Sequence, residues 1–256
     1  MTPRRIVSLA VGLGLLVLAQ TGVANAAEIK VLCSNGIKAV VEDLVPEFER
    51  TTSHKLVVTY GLAAALKRQI DAGEPFDVAI LTPQAIDDVI KSGKVTAASR
   101  TPIARVGLAI AIRSGARKTD IGTTDAFKRA LLNAKSIVYA REGASGVAFT
   151  ALIQRLGITE ELKPKSKATT TGEEVSESVV RGESEFGVLP VSEIVPVKGL
   201  EVMAPFPADV QSYIVMVAGA NSSATQSAAA KDLITFLTSP AALPAIKKNG
   251  MERQER

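Results

Sequence analysis

Hydrophobic positions along the chain alternate between short apolar runs and stretches with apolar residues three and four apart. Residues 29–32 form the first run. Beyond Cys33-Ser34-Asn35-Gly36, apolar residues recur at Ile37, Val40, Val41, Leu44, Val45 and Phe48. That spacing is one face of a helix. The unit repeats as a β-branched run over 55–60, a break at Gly61, and a helical face of Leu62, Leu66 and Ile70. A third stretch, 76–81, reads as a strand, an apolar run of the buried parallel type broken only by Asp77. Thr82-Pro83 then opens a helix carrying Ile86, Val89 and Ile90. Three strand–helix units in succession predict a right-handed parallel α/β lobe.

The pattern resumes in the second half. Residues 104–113 are apolar on both alternations apart from the ends of the stretch and predict a central strand. Thr123 or Thr124 caps a helix through Phe127, Ala130 and Leu131, and residues 136–139 read as a strand. The polar loop 141–146 leads into a helix bearing Ala148, Phe149, Leu152, Ile153 and Leu156, which Gly157 stops. A helix over 175–181 and strands at 186–189 and 200–203 complete a second α/β lobe over roughly 104–210. Residues 212–218 form a strong apolar strand. Two helices close the chain, the last with Lys247 and Lys248 in its final turn before Gly250. No shift in composition marks a tether, so strands should join the lobes.

Chemistry enters at the loops. Ligands of such sheets sit outside the carboxyl ends of the strands. Those ends are Ser34, Asn35 and Gly36; Ala63 and Ala64 after Gly61; and Thr82. Helix N-termini there offer free N–H groups and the positive end of the dipole. Alone, each is also an ordinary strand-to-helix turn. The arrangement recurs at Ser145, Gly146 and Val147, and two opposed cradles of this kind suit an anion or polar ligand held by many N–H and O–H donors. Arg141 is a candidate counter-ion. Cys33, beside the first cradle, is either a small core residue or a thiol near the ligand.

Residues 1–26 lie outside this pattern. Arg4 and Arg5 precede an apolar core over 9–19, and Ala24-Asn25-Ala26 is a small-x-small cleavage pattern. A cleaved signal peptide and a mature chain from Ala27 are expected, hence periplasmic export. Without Arg4 and Arg5 the chain has 28 basic and 26 acidic residues. That near balance, with 4% aromatics and no Trp, gives no sign of nucleic-acid binding. One Cys and one His allow neither an intramolecular disulfide nor a Cys/His zinc site, and no metal or cofactor is expected.

The stretches VVTYGLAAALKRQIDAGEPFDVAIL and FLTSPAALPAIKKNGMER, with the Ser-containing loops and the leader, resemble the type II periplasmic solute-binding proteins of ABC importers, in their molybdate-binding branch. The resemblance covers essentially the whole chain after residue 26. It implies two doubly wound α/β lobes joined by crossing strands at 104–113 and 211–218. Lobe 1 would be 27–103 plus 212–256, and lobe 2 would be 104–211. It implies a monomer that clamps a small anionic solute, a molybdate-like oxyanion or a small organic acid, and hands it to an inner-membrane ABC permease. Two hydroxyl donors of the molybdate site fall on residues without one, Ala63 and Pro190. The more apolar walls point to a larger or less charged ligand.

The chain is not expected to be an enzyme. His54, in a polar turn at a strand's start, is expected on the surface and away from Ser34, Ser145 and Cys33, so no Ser/His arrangement arises. An acid/base enzyme on the same fold would have Glu142 or Glu193 to use, and nothing in their spacing singles them out. A periplasmic enzyme or a ligand-sensing receptor partner is the alternative to the transport role.

Overall fold

The structure, a computed structural model, describes residues 26–254. The expected signal peptide lies outside these except for Ala26. Strand β1 (Glu28–Ser34) runs through a single 3₁₀ turn into helix α1 (Lys38–Thr52). Ile37, Val40, Val41, Leu44 and Phe48 are buried, as the helical period requires. β2 (Lys55–Gly61) and α2 (Ala63–Asp71) follow, then β3 (Val78–Leu81) and α3 (Pro83–Lys91). β2 and β3 flank β1, both parallel to it.

The long strand β4 (Thr101–Arg113) opens the second half. It is followed by α4 (Thr124–Asn133), β5 (Ile137–Ala140), α5 (Ala144–Arg155), α6 (Thr159–Leu162) and β6 (Ser166–Thr169). Next come α7 (Gly172–Val180), β7 (Phe186–Pro190), α8 (Val191–Ile194) and β8 (Leu200–Pro205). β9 (Tyr213–Ala220), α9 (Ser227–Leu237), α10 (Leu243–Lys248) and the short β10 (Glu252–Arg253) end the described chain.

The strands lie in the order β2-β1-β3-β9-β4-β7-β5-β6, with β8 and β10 also paired to β4. β5 is parallel to β6 and β7, so each half of the sheet carries a parallel set with helices on it. β4 and β9 run antiparallel between the halves. Both crossing strands are offset from their expected bounds: β4 begins three residues earlier, and β9 covers 213–220 rather than 211–218. Gln211, left out of β9, spends its side chain on the crossing. Its Oε1 accepts from Leu108 N–H at 2.8 Å and its Nε2 donates to the Leu108 carbonyl at 3.1 Å. This is the two-lobe α/β architecture the sequence predicts.

His54 corrects an expectation. It is 9% exposed rather than a surface turn residue. Its Nδ1 accepts from Ala27 N–H at 3.2 Å and its ring packs on Phe48, 6.2 Å between centroids. It immediately precedes β2, at the opposite end from Gly61 and the carboxyl ends of the strands. Cys33 is fully buried in the main core. Burial, with Glu42 adding to it, pushes its thiol well above the ordinary value, so it is inert packing rather than a reactive group.

Candidate functional site

The carboxyl ends of the two parallel sets face one another across a cavity of about 380 Å³. One wall is Ser34, Asn35, Gly36, Leu62, Ala63, Ala64 and Thr82. The other is formed by Gly143, Ala144, Ser145, Val147, Gly172, Pro190 and Glu193, with Ile214 and Met216 of β9 between. Ala63 and Pro190, where the resemblance would have hydroxyl donors, both line it without one.

The polar side chains of this cavity are unusual in what they do not bond. Ser, Thr and Asn before a helix normally accept from an N–H of the first turn. Thr123 does so to Ala126 N–H and Thr171 to Glu174 N–H, both at 3.2 Å. Thr82 holds the same position at α3, and Ser34 at the turn before α1, and neither makes a side-chain cap bond. Ser145, the second residue of α5, is 4% exposed and Ser34 is 6% exposed. Among the described residues, the side chains of Ser34, Asn35, Thr82 and Ser145 have no hydrogen-bond partner. Buried hydroxyls in proteins are ordinarily paired, yet Ser34 and Ser145 are not, and with the half-buried Asn35 and Thr82 they face a shared space. The first-turn N–H groups of α2 and α5 open there too, since α2 begins at Ala63 after Leu62 and α5 at Ala144 after Gly143.

Of the residues expected in the site, Ser34, Asn35, Gly36, Ala63, Ala64, Thr82, Ser145 and Val147 line the cavity, and Arg141 and Gly146 do not. Arg141 is exposed on the loop before α5. Gly146 faces the strand: a Cβ there would lie 1.9 Å from the Ala140 carbonyl oxygen. Its role is the close approach of α5 to β5. Val147 contributes a side chain that is 57% exposed, while its N–H is spent on the Gly143 carbonyl at 2.9 Å.

Glu193 is the site residue that spacing could not single out. It sits on the four-residue α8, too short to show a period. Its carboxyl is wedged between the lobes, where a Cβ on Gly172 would be 2.2 Å from Oε2 and one on Gly36 3.9 Å from Oε1. Among the described residues it makes no hydrogen bond or ion pair. Burial, then the neighbouring Glu173, push it up from 4.5 to about 7. A second cavity of about 490 Å³, between α1 and α7, shares Asn35, Gly172 and Glu193 with the first, so the carboxyl stands between the two.

Among the described residues three polar contacts bridge the cleft. Ser192 Oγ donates to the Gly36 carbonyl at 2.7 Å and is buried. Lys38 pairs with Glu173 at 3.6 Å, and Arg68 with Glu142 at 3.3 Å. The two ion pairs are exposed and contribute at most about 1 kcal/mol each. Among the described residues no Lys or Arg lines the cavity. The cavity therefore offers N–H and O–H donors and no cation, and a protonated Glu193 would add one donor.

A titration follows from this. The folded carboxyl of Glu193 keeps its proton up to about pH 7, whereas an unfolded one loses it near 4.5. The native state binds more protons in that window, so its stability falls as pH rises from about 4.5 to 7. The charged groups around the carboxyl are Glu173, paired with Lys38, Glu42 on α1, Glu177 on α7 and Arg181 at its end, Lys198 after α8, and Glu142 on the loop before α5. Urea titrations should find that Glu193→Gln gains on the wild type by on the order of 2 kcal/mol between pH 5 and pH 8, after allowance for partial exposure. Parallel pH curves for the two proteins would contradict the assignment.

The sequence profile of the bacterial extracellular solute-binding protein family matches residues 29–252. An aconitate isomerase of a Pseudomonas species is 30% identical over 249 residues, 94% of each chain. The molybdate-binding protein ModA of Azotobacter vinelandii is 27% identical over 247 residues, again 94% of each. A solved structure of the periplasmic molybdate-binding protein of Azotobacter vinelandii superposes with a TM-score of 0.76 at 18% identity, covering 89% of this chain and 100% of that one.

Proposed function

Since the chain belongs to the bacterial extracellular solute-binding protein family, we propose that it captures a small carboxylate anion between its lobes and presents it to an inner-membrane ABC permease. The observation that carries this reading is the set of unpartnered hydroxyls and helix N-termini on both sides of one cavity. Closure brings donors from both sides onto one ligand, which is how binding drives a hinge. A carboxylate is favoured over a tetrahedral oxyanion for two reasons. The cavity of about 380 Å³ is of small-molecule size, and Ala63 and Pro190 leave apolar wall where an oxyanion site would want donors. The 30% identical relative is named for a tricarboxylate, which supports the same class.

The lobes are taken as 27–103 with 212–256, and 104–211. The antiparallel β4–β9 pair at mid-sheet supports that division. The protein acts as a monomer in the periplasm after removal of residues 1–26, with no nucleic-acid partner. Thermal-shift and calorimetric titrations with citrate, cis- and trans-aconitate, molybdate and tungstate test the ligand class. A ligand at 100 times its Kd adds about 2.7 kcal/mol of stability. Stabilisation by a tricarboxylate and none by molybdate is expected. Stabilisation by the metal oxyanions alone would overturn the carboxylate reading.

A further inference from the structure

We propose that Glu193 moves a proton between two carbons of a bound unsaturated carboxylate, so that the cleft isomerises the anion it captures. This rests on the carboxylate reading above. Five observations on the fold carry it. Glu142 and Glu193 are the two carboxyls lining the cavity, and Glu142 is exposed and held by Arg68 at 3.3 Å. Glu193 has no protein partner among the described residues. Its Oε2 lies against Gly172, where a side chain would intrude at 2.2 Å, and its Oε1 reaches to within van der Waals contact of a Cβ on Gly36 of the other lobe, at 3.9 Å. The adjacent Ser192 bonds the Gly36 carbonyl at 2.7 Å, fixing α8 against the opposite lobe when the cleft is shut. His54 and Cys33, the other candidates for proton transfer, are respectively at the wrong end of the sheet and sealed in the core.

The substrate class is a carboxylate with a methylene between an alkene carbon and a carboxylate group. The Glu193 carboxylate takes one methylene proton. The C–H electron pair becomes a new C=C bond, and the old π pair shifts to the far alkene carbon and onto its carboxylate. Glu193 then returns the proton to that far carbon. One C–H bond breaks, one forms, and nothing is oxidised or reduced. The charge that develops on the carboxylate oxygens faces the hydroxyls of Ser34 and Ser145 and the N-terminal N–H groups of α2 and α5, preorganised donors of the kind that stabilise such intermediates. A carboxyl that titrates near 7 is matched to give and take a proton at neutral pH.

The test incubates the protein with trans-aconitate in D₂O at saturating concentration, set for each variant by calorimetry, and follows the methylene and vinyl protons by NMR. The wild type should incorporate deuterium and interconvert the cis and trans isomers. Glu193→Gln should lower the exchange rate at saturation by about 100-fold or more, and Glu193→Asp should retain an intermediate rate. Both variants should melt cooperatively, which separates loss of the base from loss of the fold. Binding of trans-aconitate by the wild type without deuterium uptake would overturn the inference and leave the capture reading standing. Equal exchange by wild type and Glu193→Gln would remove Glu193 from the step. Absence of binding by any tricarboxylate would overturn both readings.

Discussion

Replacing Ser34 and Ser145 together by alanine is expected to weaken ligand binding by about 10²- to 10⁴-fold while leaving the fold intact. Each hydroxyl donates to a charged ligand, and such a bond contributes roughly 1.5–3 kcal/mol, or about 10- to 150-fold. The two residues sit on opposite walls of the cavity and share no partner, so their effects should add. Stability should move by less than about 0.5 kcal/mol, because neither hydroxyl bonds any described protein group. Thr123→Ala is the contrasting control. Its hydroxyl caps α4 by accepting from Ala126 N–H, so that change should cost about 1 kcal/mol of stability and no affinity. Calorimetry and urea unfolding on the three proteins decide it. Undiminished affinity in the double variant would remove the cavity's best donors.

The second large effect is at Gly146. Alanine is ordinarily the better helix residue by about 1 kcal/mol. Here its Cβ would lie 1.9 Å from the Ala140 carbonyl oxygen and 2.8 Å from the carbonyl carbon. Both are backbone atoms of β5, which cannot rotate aside, so α5 must shift off the strand and carry Ser145 with it. Gly146→Ala should lose about 3 kcal/mol, or roughly 6–12 °C in Tm for a chain of this size, and bind more weakly as well. Gly36→Ala is milder despite a Cβ only 2.5 Å from its neighbour, because that neighbour is the flexible Met216 Cε. Thermal unfolding of the two variants side by side measures the difference. An unchanged midpoint for Gly146→Ala would show that α5 and β5 are not held as described.

Much of this was legible before any coordinates. Long amphipathic helices such as α1 announce themselves by period, and apolar runs such as 78–81 by their buried strand character. Once the parallel units were recognised, the rule that ligands sit at strand carboxyl ends selected Ser34, Ala63, Thr82 and Ser145. What failed did so for physical reasons. β6 is an edge strand of four mixed residues, Ser-Lys-Ala-Thr, half-buried and paired on one side only, so it carries neither alternation nor an apolar run. α8 is a single turn, and the room for the inward-pointing Glu193 carboxyl is made by Gly172, which is far from it in sequence. His54 looked like a turn residue because its neighbours are polar. Its burial comes from Ala27 and Phe48, contacts that exist only after β1 and β2 pair. Gly146 was read as a ligand cradle from its place at a helix start, a position that glycine also takes where a helix must touch a strand.

The most direct test of the central claim is a crystal structure of the protein with a tricarboxylate bound. The expected result has ligand carboxylates on Ser34 Oγ and Ser145 Oγ, with the N–H groups of Ala64 and Ala144 within reach and Glu193 facing the carbon chain. A ligand seated instead in the groove between α1 and α7, with Ser34 and Ser145 untouched, would contradict it.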